Sequence, residues 1–147
     1  MQPNQTRPVD PQSRHRALMI IWGAIFANVI ILYALANLIG PERSLLKENN
    51  LLVIVLTAIG TFVMACSYFF RQKMLARAIE RQRAESVSGA YIVAFAMCEV
   101  SALCGLLIRF TTNERAYYFL FVMAVIGLVV NLPRRSDIFN ALSEKRI

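Results

Sequence analysis

The stretch from Ser88 to Phe110, SGAYIVAFAMCEVSALCGLLIRF, decides how the chain is read. It has 23 residues, one acid near its centre and one arginine near its end. An α-helix rises ~1.5 Å per residue, and the hydrocarbon core of a bilayer is ~30 Å thick, so ~20 apolar residues cross it. This run is long enough to cross, and nothing in it alternates with the period of a half-buried strand. It predicts a transmembrane helix.

Three more blocks of the same kind lie around it. They run from Ala17 to Ile39, from Leu51 to Phe70 and from about Ala116 to Leu132. Gly40-Pro41 ends the first, and Pro133 followed by Arg134-Arg135 ends the last. The apolar share of 57% exceeds the ~45–50% of an ordinary soluble domain. The excess is concentrated in these four blocks. The fold expected is an all-α integral membrane protein with four transmembrane helices in one bundle, over residues 17 to 132. Residues 1 to 16, with Pro3, Pro8 and Pro11, read as a disordered cytoplasmic tail, and residues 133 to 147 as a basic one. The first block also resembles a secretory signal, with Ala34-Leu35-Ala36 in small-x-small form. Signal cores span only ~7–15 residues, so it reads as an uncleaved helix.

The formal charge of +7 follows the same pattern. Arg7, Arg14 and Arg16 precede the first block. Arg71, Lys73, Arg77, Arg81 and Arg83 lie between the second and third, and Arg134, Arg135, Lys145 and Arg146 follow the fourth. That places 12 cations on one side of an alternating bundle. The other side has four: Arg43, Lys47, Arg109 and Arg115. Cytoplasmic loops carry the Lys/Arg excess, so both termini are expected inside. Cations that flank apolar blocks point to anionic lipid, and no motif that reads nucleic acid is present. The segment from Arg71 to Glu85 has no Pro or Gly before Gly89 and is expected to prolong the second helix. Ser136 reads as the N-cap of a short interfacial turn, with Ile138, Phe139 and Leu142 toward lipid.

Few residues point to chemistry. Cys66, Cys98 and Cys104 sit inside apolar blocks and read as small packing residues. His15 is the single histidine, so a multi-ligand metal site is not expected, and no cofactor motif occurs. Glu99 is the exception. It lies eleven residues beyond Ser88, about 16 Å along the helix and near the midplane. A charge there costs ~2.5–3.5 kcal/mol on insertion scales. Glu99 is therefore expected to be protonated, or to face a polar partner or a wet cavity. Asn28 and Thr61 fall at the same depth in the first and second blocks. Ala94, Cys98, Ser101, Ala102 and Gly105 let another helix come close. Two readings stay open: an acid that ties helices or subunits together, and a carboxyl that carries a proton or an ion.

The segment Ala96-Met97-Cys98-Glu99-Val100-Ser101-Ala102-Leu103-Cys104-Gly105-Leu106-Leu107 resembles the second helix of rotary ATPase proteolipid (c) subunits, roughly A-x-x-E-x-x-A/S-x-x-G-L. The likeness covers about residues 51 to 110, with Arg71-Gln72-Lys73 as the basic loop of the bacterial form. The resemblance implies an ion-carrying role for Glu99 and assembly into a ring. It departs from the family in having only Gly60 where the first proteolipid helix has a glycine repeat. An offset of 71 also superposes Asn28 on Glu99, Val29 on Val100, Leu32 on Leu103 and Leu35 on Leu106, as a duplicated two-helix unit would.

Taken together, these residues predict a small multi-pass, non-enzymatic membrane subunit or packing module with a midplane Glu99. Proteolipid-like proton or ion binding by Glu99 is the alternative. The partners expected are membrane lipids and a homo-oligomer or larger membrane complex. The location expected is the bacterial inner (cytoplasmic) membrane.

Overall fold

The computed structural model describes residues 11–39, 50–80, 84–112 and 115–137. Four helices account for most of them: α1 (Pro11–Leu38), α2 (Asn50–Glu80), α3 (Ala84–Thr112) and α4 (Ala116–Val130). Pro11 opens α1, where its missing N–H costs nothing because the first amides of a helix have no internal acceptor. The helix therefore starts six residues before the apolar block, inside the stretch read as a tail. Residues 1–10 lie outside the described residues. Beyond the apolar block of α2 the chain stays helical to Glu80, but the expected prolongation does not reach Glu85: Ala84 and Glu85 open α3 instead.

Lengths separate three of the helices from the fourth. α1, α2 and α3 have 28, 31 and 29 residues, about 42–46 Å each, and each is long and apolar enough to cross a membrane. α4 has 15 residues, about 22 Å, less than a straight ~30 Å crossing requires. It stops two residues short of the expected boundary at Leu132. A further helical turn begins at Arg135, one residue before Ser136. Ile138, Phe139 and Leu142 lie outside the described residues.

The helices run up and down. Trp22 in the first half of α1 meets Leu128 near the end of α4. Arg71 on α2 meets Val130, and Tyr91 near the start of α3 meets Asp137 beyond α4. At the opposite end Arg109 of α3 meets Ala36 of α1, and Tyr117 of α4 meets Asn37. The described cations Arg14, Arg16, Arg71, Lys73, Arg77, Arg134 and Arg135 thus gather toward one end of the molecule.

α3 is the hub. It packs against α1, α2 and α4, and α4 also touches α1 and α2. No Cα pair from α1 and α2 comes within 8 Å. α3 buries 50% of its most apolar window, against 11% for α1 and for α2. Phe95, Ile108, Leu120, Leu128 and Tyr91 fill the centre. The outside is apolar as well: Phe62 and Phe69 are 70% and 72% exposed.

Glycine lets α2, α3 and α4 come close. A Cβ on Gly60 of α2 would lie 2.9 Å from Leu120 Cδ2, and one on Gly127 of α4 would lie 2.8 Å from Cys98 Sγ. A Cβ on Gly105 of α3 would meet Leu120 and the Tyr117 carbonyl at 3.2 Å. A duplicated hairpin would pair α1 with α2 as α3 pairs with α4. Among the described residues α1 and α2 do not approach as α3 and α4 do, so the two halves pack differently.

Candidate functional site

The acid of α3 meets the amide of α1. Asn28 Nδ2 donates to Glu99 Oε1 at 2.5 Å, and both residues are half-buried. An amide offers two N–H donors and a carboxyl offers two oxygens, so each satisfies part of the other in an apolar layer. Glu99 Oε2 has no hydrogen-bond partner among the described residues.

Thr61 is not part of this pair. It lies on α2 and lines an open apolar groove with Val53, Ile54, Thr57, Ala58 and Phe62. No hydrogen bond joins it to Glu99 or Asn28 among the described residues. The small residues around Glu99 are buried, but they serve other neighbours. Cys98 faces Gly127 of α4, and Ser101 and Cys104 face Gly60 of α2. Glu99 projects from the adjacent face, toward α1.

A second polar layer lies at the basic end, built around the early stop of α4. The last four carbonyls of a helix have no internal partner. Here all four are satisfied. The Gly127 carbonyl accepts from Asn131 N at 3.0 Å and from Asn131 Nδ2 at 2.9 Å. Trp22 Nε1 donates to the Leu128 carbonyl at 2.9 Å. Leu132 N donates to the Val129 carbonyl at 3.2 Å. Arg71 donates from a terminal guanidinium nitrogen to the Val130 carbonyl at 3.1 Å. A cation at a helix C-terminus also meets the negative end of the helix dipole. So α1 and α2 finish α4 with one indole and one guanidinium.

Asn131 extends the layer. Its amide also reaches Ser67 Oγ at 3.3 Å and Cys98 Sγ at 3.6 Å, while Ser67 donates to the Met64 carbonyl at 2.7 Å. Arg71 is only 7% exposed and lies 5.5 Å from the Tyr68 ring and 5.7 Å from the Tyr91 ring. The Tyr91 hydroxyl donates to Asp137 Oδ2 at 2.5 Å and accepts from Arg134 N at 3.3 Å.

The other end repeats the device with Arg109. Its Nε donates to the Ala36 carbonyl in the last turn of α1 at 3.0 Å, and its guanidinium lies 5.2 Å from the Tyr117 ring. The Tyr117 hydroxyl donates to Asn37 Oδ1 at 3.1 Å. From the sequence Arg109 reads as a flanking cation, and Arg71 as one count toward orientation. Both instead cap a neighbouring helix. The available signal was local: each falls within a turn or so of the end of its own apolar block, level with the end of a neighbouring helix.

Among the described residues no three His, Cys, Asp or Glu side chains converge as a metal site would require. The chain matches no protein-family model, and neither a curated protein nor a solved structure is similar to it. The arrangement itself defines what chemistry is at hand: one acid–amide pair within the apolar span and two arginine-capped helix ends.

Proposed function

We propose that this chain is a multi-pass membrane protein with both termini in the cytoplasm, and that it works as a non-enzymatic membrane subunit. In it the Asn28–Glu99 pair fastens α1 to the unit made by α2, α3 and α4. The bacterial inner membrane is the proposed location, following the resemblance at residues 51 to 110. The carrying observation is the Asn28–Glu99 hydrogen bond, which joins α1 to the hub helix α3. Large apolar side chains exposed on all four helices support the membrane reading, since a soluble monomer rarely exposes such extensive apolar surface. Four crossings require α4 to tilt little and to use its flanks, with Arg115 and Arg134 at the two interfaces.

One observation favours a second reading. Among the described residues Glu99 Oε2 meets no hydrogen-bond partner while Oε1 is held by Asn28, which leaves one carboxyl oxygen open for the proton-carrying alternative. Reconstitution separates the two. Vesicles with the wild-type chain, with Glu99→Gln and without protein are given a pH step under an imposed potential. The subunit reading expects the same slow proton leak in all three, and a Glu99→Gln chain that melts close to wild type. Proton flux in wild type alone, lost in Glu99→Gln at unchanged folding, overturns it in favour of proton carriage. Release of the chain from membranes by alkaline carbonate would overturn both.

A further inference from the structure

A cavity of about 320 Å³ opens at the basic end, lined by Arg71, Gln72, Leu75, Ala76, Arg134 and Asp137. We propose that it holds the phosphate group of an anionic phospholipid from the inner leaflet, a site that rests on the membrane orientation proposed above.

The argument starts from Arg71. A guanidinium carries five N–H donors. One meets the Val130 carbonyl, and Nε is buried with no partner among the described residues. The residue is more than nine-tenths buried, and its guanidinium lies near the rings of Tyr68 and Tyr91. A buried cation in this state lacks acceptors. Arg134 is exposed on the same cavity and brings a second positive charge. Asp137 does not neutralise them. Its Oδ2 accepts from Tyr91 and its Oδ1 from Ser136, and among the described residues no ion pair forms with either arginine. Two arginines against one carboxylate leave the cavity with a net formal charge of +1.

An oxyanion with several acceptor oxygens fits this donor set, because guanidinium forks match phosphate geometry. The source follows from the place. Leu75 and Ala76 form an apolar wall, and α2 leaves its apolar block at Arg71. Exposed Lys73 and Arg77 on the same helix add attraction to an anionic leaflet. A headgroup there would have its phosphate at the arginines and its acyl chains along the apolar surface of the bundle.

The test uses the purified full chain in mild neutral detergent. It is titrated with short-chain phosphatidylglycerol, with short-chain phosphatidylcholine and with inorganic phosphate, and thermal stabilisation is read at each concentration. Phosphatidylglycerol should stabilise at lower concentration than phosphatidylcholine. Arg134→Gln should raise its half-saturating concentration about tenfold, as expected for one charge-assisted hydrogen bond, and Arg135→Gln should not. Arg71→Gln should abolish the effect, but it also uncaps α4, so Arg134→Gln decides. Equal phosphatidylglycerol response in wild type, Arg134→Gln and Arg135→Gln overturns the site. Stabilisation by inorganic phosphate that is lost in Arg134→Gln, without preference for phosphatidylglycerol, overturns the lipid assignment in favour of a soluble phosphate. Two further measurements test the underlying reading separately: alkaline extraction of the starting membranes tests membrane insertion, and labelling of single cysteines at Ser44 and Ser86 tests orientation, so a chain that stays in the pellet with Ser86→Cys shielded keeps that reading even where the titration fails.

Discussion

Asn28 and Glu99 meet because each offers what the apolar layer withholds. Hydrogen bonds between transmembrane helices contribute ~0.6 kcal/mol on average and up to ~1.7. The loss is larger when one partner is left behind, because a buried polar group without a bond costs ~1–3 kcal/mol. Glu99→Leu is therefore expected to lower the melting temperature in mild detergent, and Asn28→Leu likewise. The double variant should cost less than the sum of the two, since no orphan remains. Glu99→Gln keeps an acceptor opposite Asn28 Nδ2 and should stay close to wild type. A double-mutant cycle by thermal denaturation checks this. Strict additivity of the two leucine changes would show that the pair does not couple. The partner was half legible in the sequence. Equal depth along two apolar blocks pointed to Asn28 and, by the same arithmetic, to Thr61. Depth carries no azimuth, however. Thr61 sits on α2, which touches α3 through Gly60 and its neighbours rather than through the face that bears Glu99.

At the scale of elements, the sequence located the helices but not the way they close. Block boundaries follow from composition, and the helical prolongation of α2 follows from the run without Pro or Gly. The early stop of α4 was less visible. Its determinants are Asn131, which binds back to Gly127, and Pro133, which cannot continue the helix. The capping groups come from α1 and α2, more than 50 residues away, and no local pattern announces them. Two predictions belong here. Arg71→Met removes the donor to Val130 and should destabilise the chain by ~1–3 kcal/mol, seen as a lower melting temperature. An unchanged melt would mean that the carbonyl finds another donor. Gly127→Ala places a Cβ 2.8 Å from Cys98 Sγ and 3.3 Å from Met64 Cγ. Overpacking of this kind costs ~1–3 kcal/mol. Adding Cys98→Ala removes the nearer atom and should restore much of the stability. A double variant no better than Gly127→Ala would place the strain elsewhere, at Met64.

For the whole molecule, the alternation of the helices turns charge counts into a statement about sides. Contacts at the two ends join the start of α1, the end of α2, the start of α3 and the segment after α4 at one end of the bundle. Among the described cations, Arg14, Arg16, Arg71, Lys73, Arg77, Arg134 and Arg135 lie toward that end, and Arg109 and Arg115 toward the other. Under the membrane reading proposed above, the Lys/Arg asymmetry of the sequence would put the richer end in the cytoplasm. The expected pattern is checked with single cysteines at Ser44 and at Ser86, in a chain whose Cys66, Cys98 and Cys104 are replaced by alanine. Ser44 lies between α1 and α2, outside the described residues, and Ser86 lies near the start of α3. A membrane-impermeant maleimide added to intact cells should label Ser44→Cys and leave Ser86→Cys unlabelled until the membrane is opened. Labelling of Ser86→Cys alone would invert the molecule and move the phospholipid cavity to the outer leaflet. Labelling of both sites in intact cells would break the alternation. The intact mass of the same samples tests the first crossing. Cleavage after Ala36 would remove Asn28 and Trp22 together, leaving Glu99 without its amide and the Leu128 carbonyl without its donor. A full-length mass is therefore expected, because α1 supplies a bond to both polar layers of the bundle.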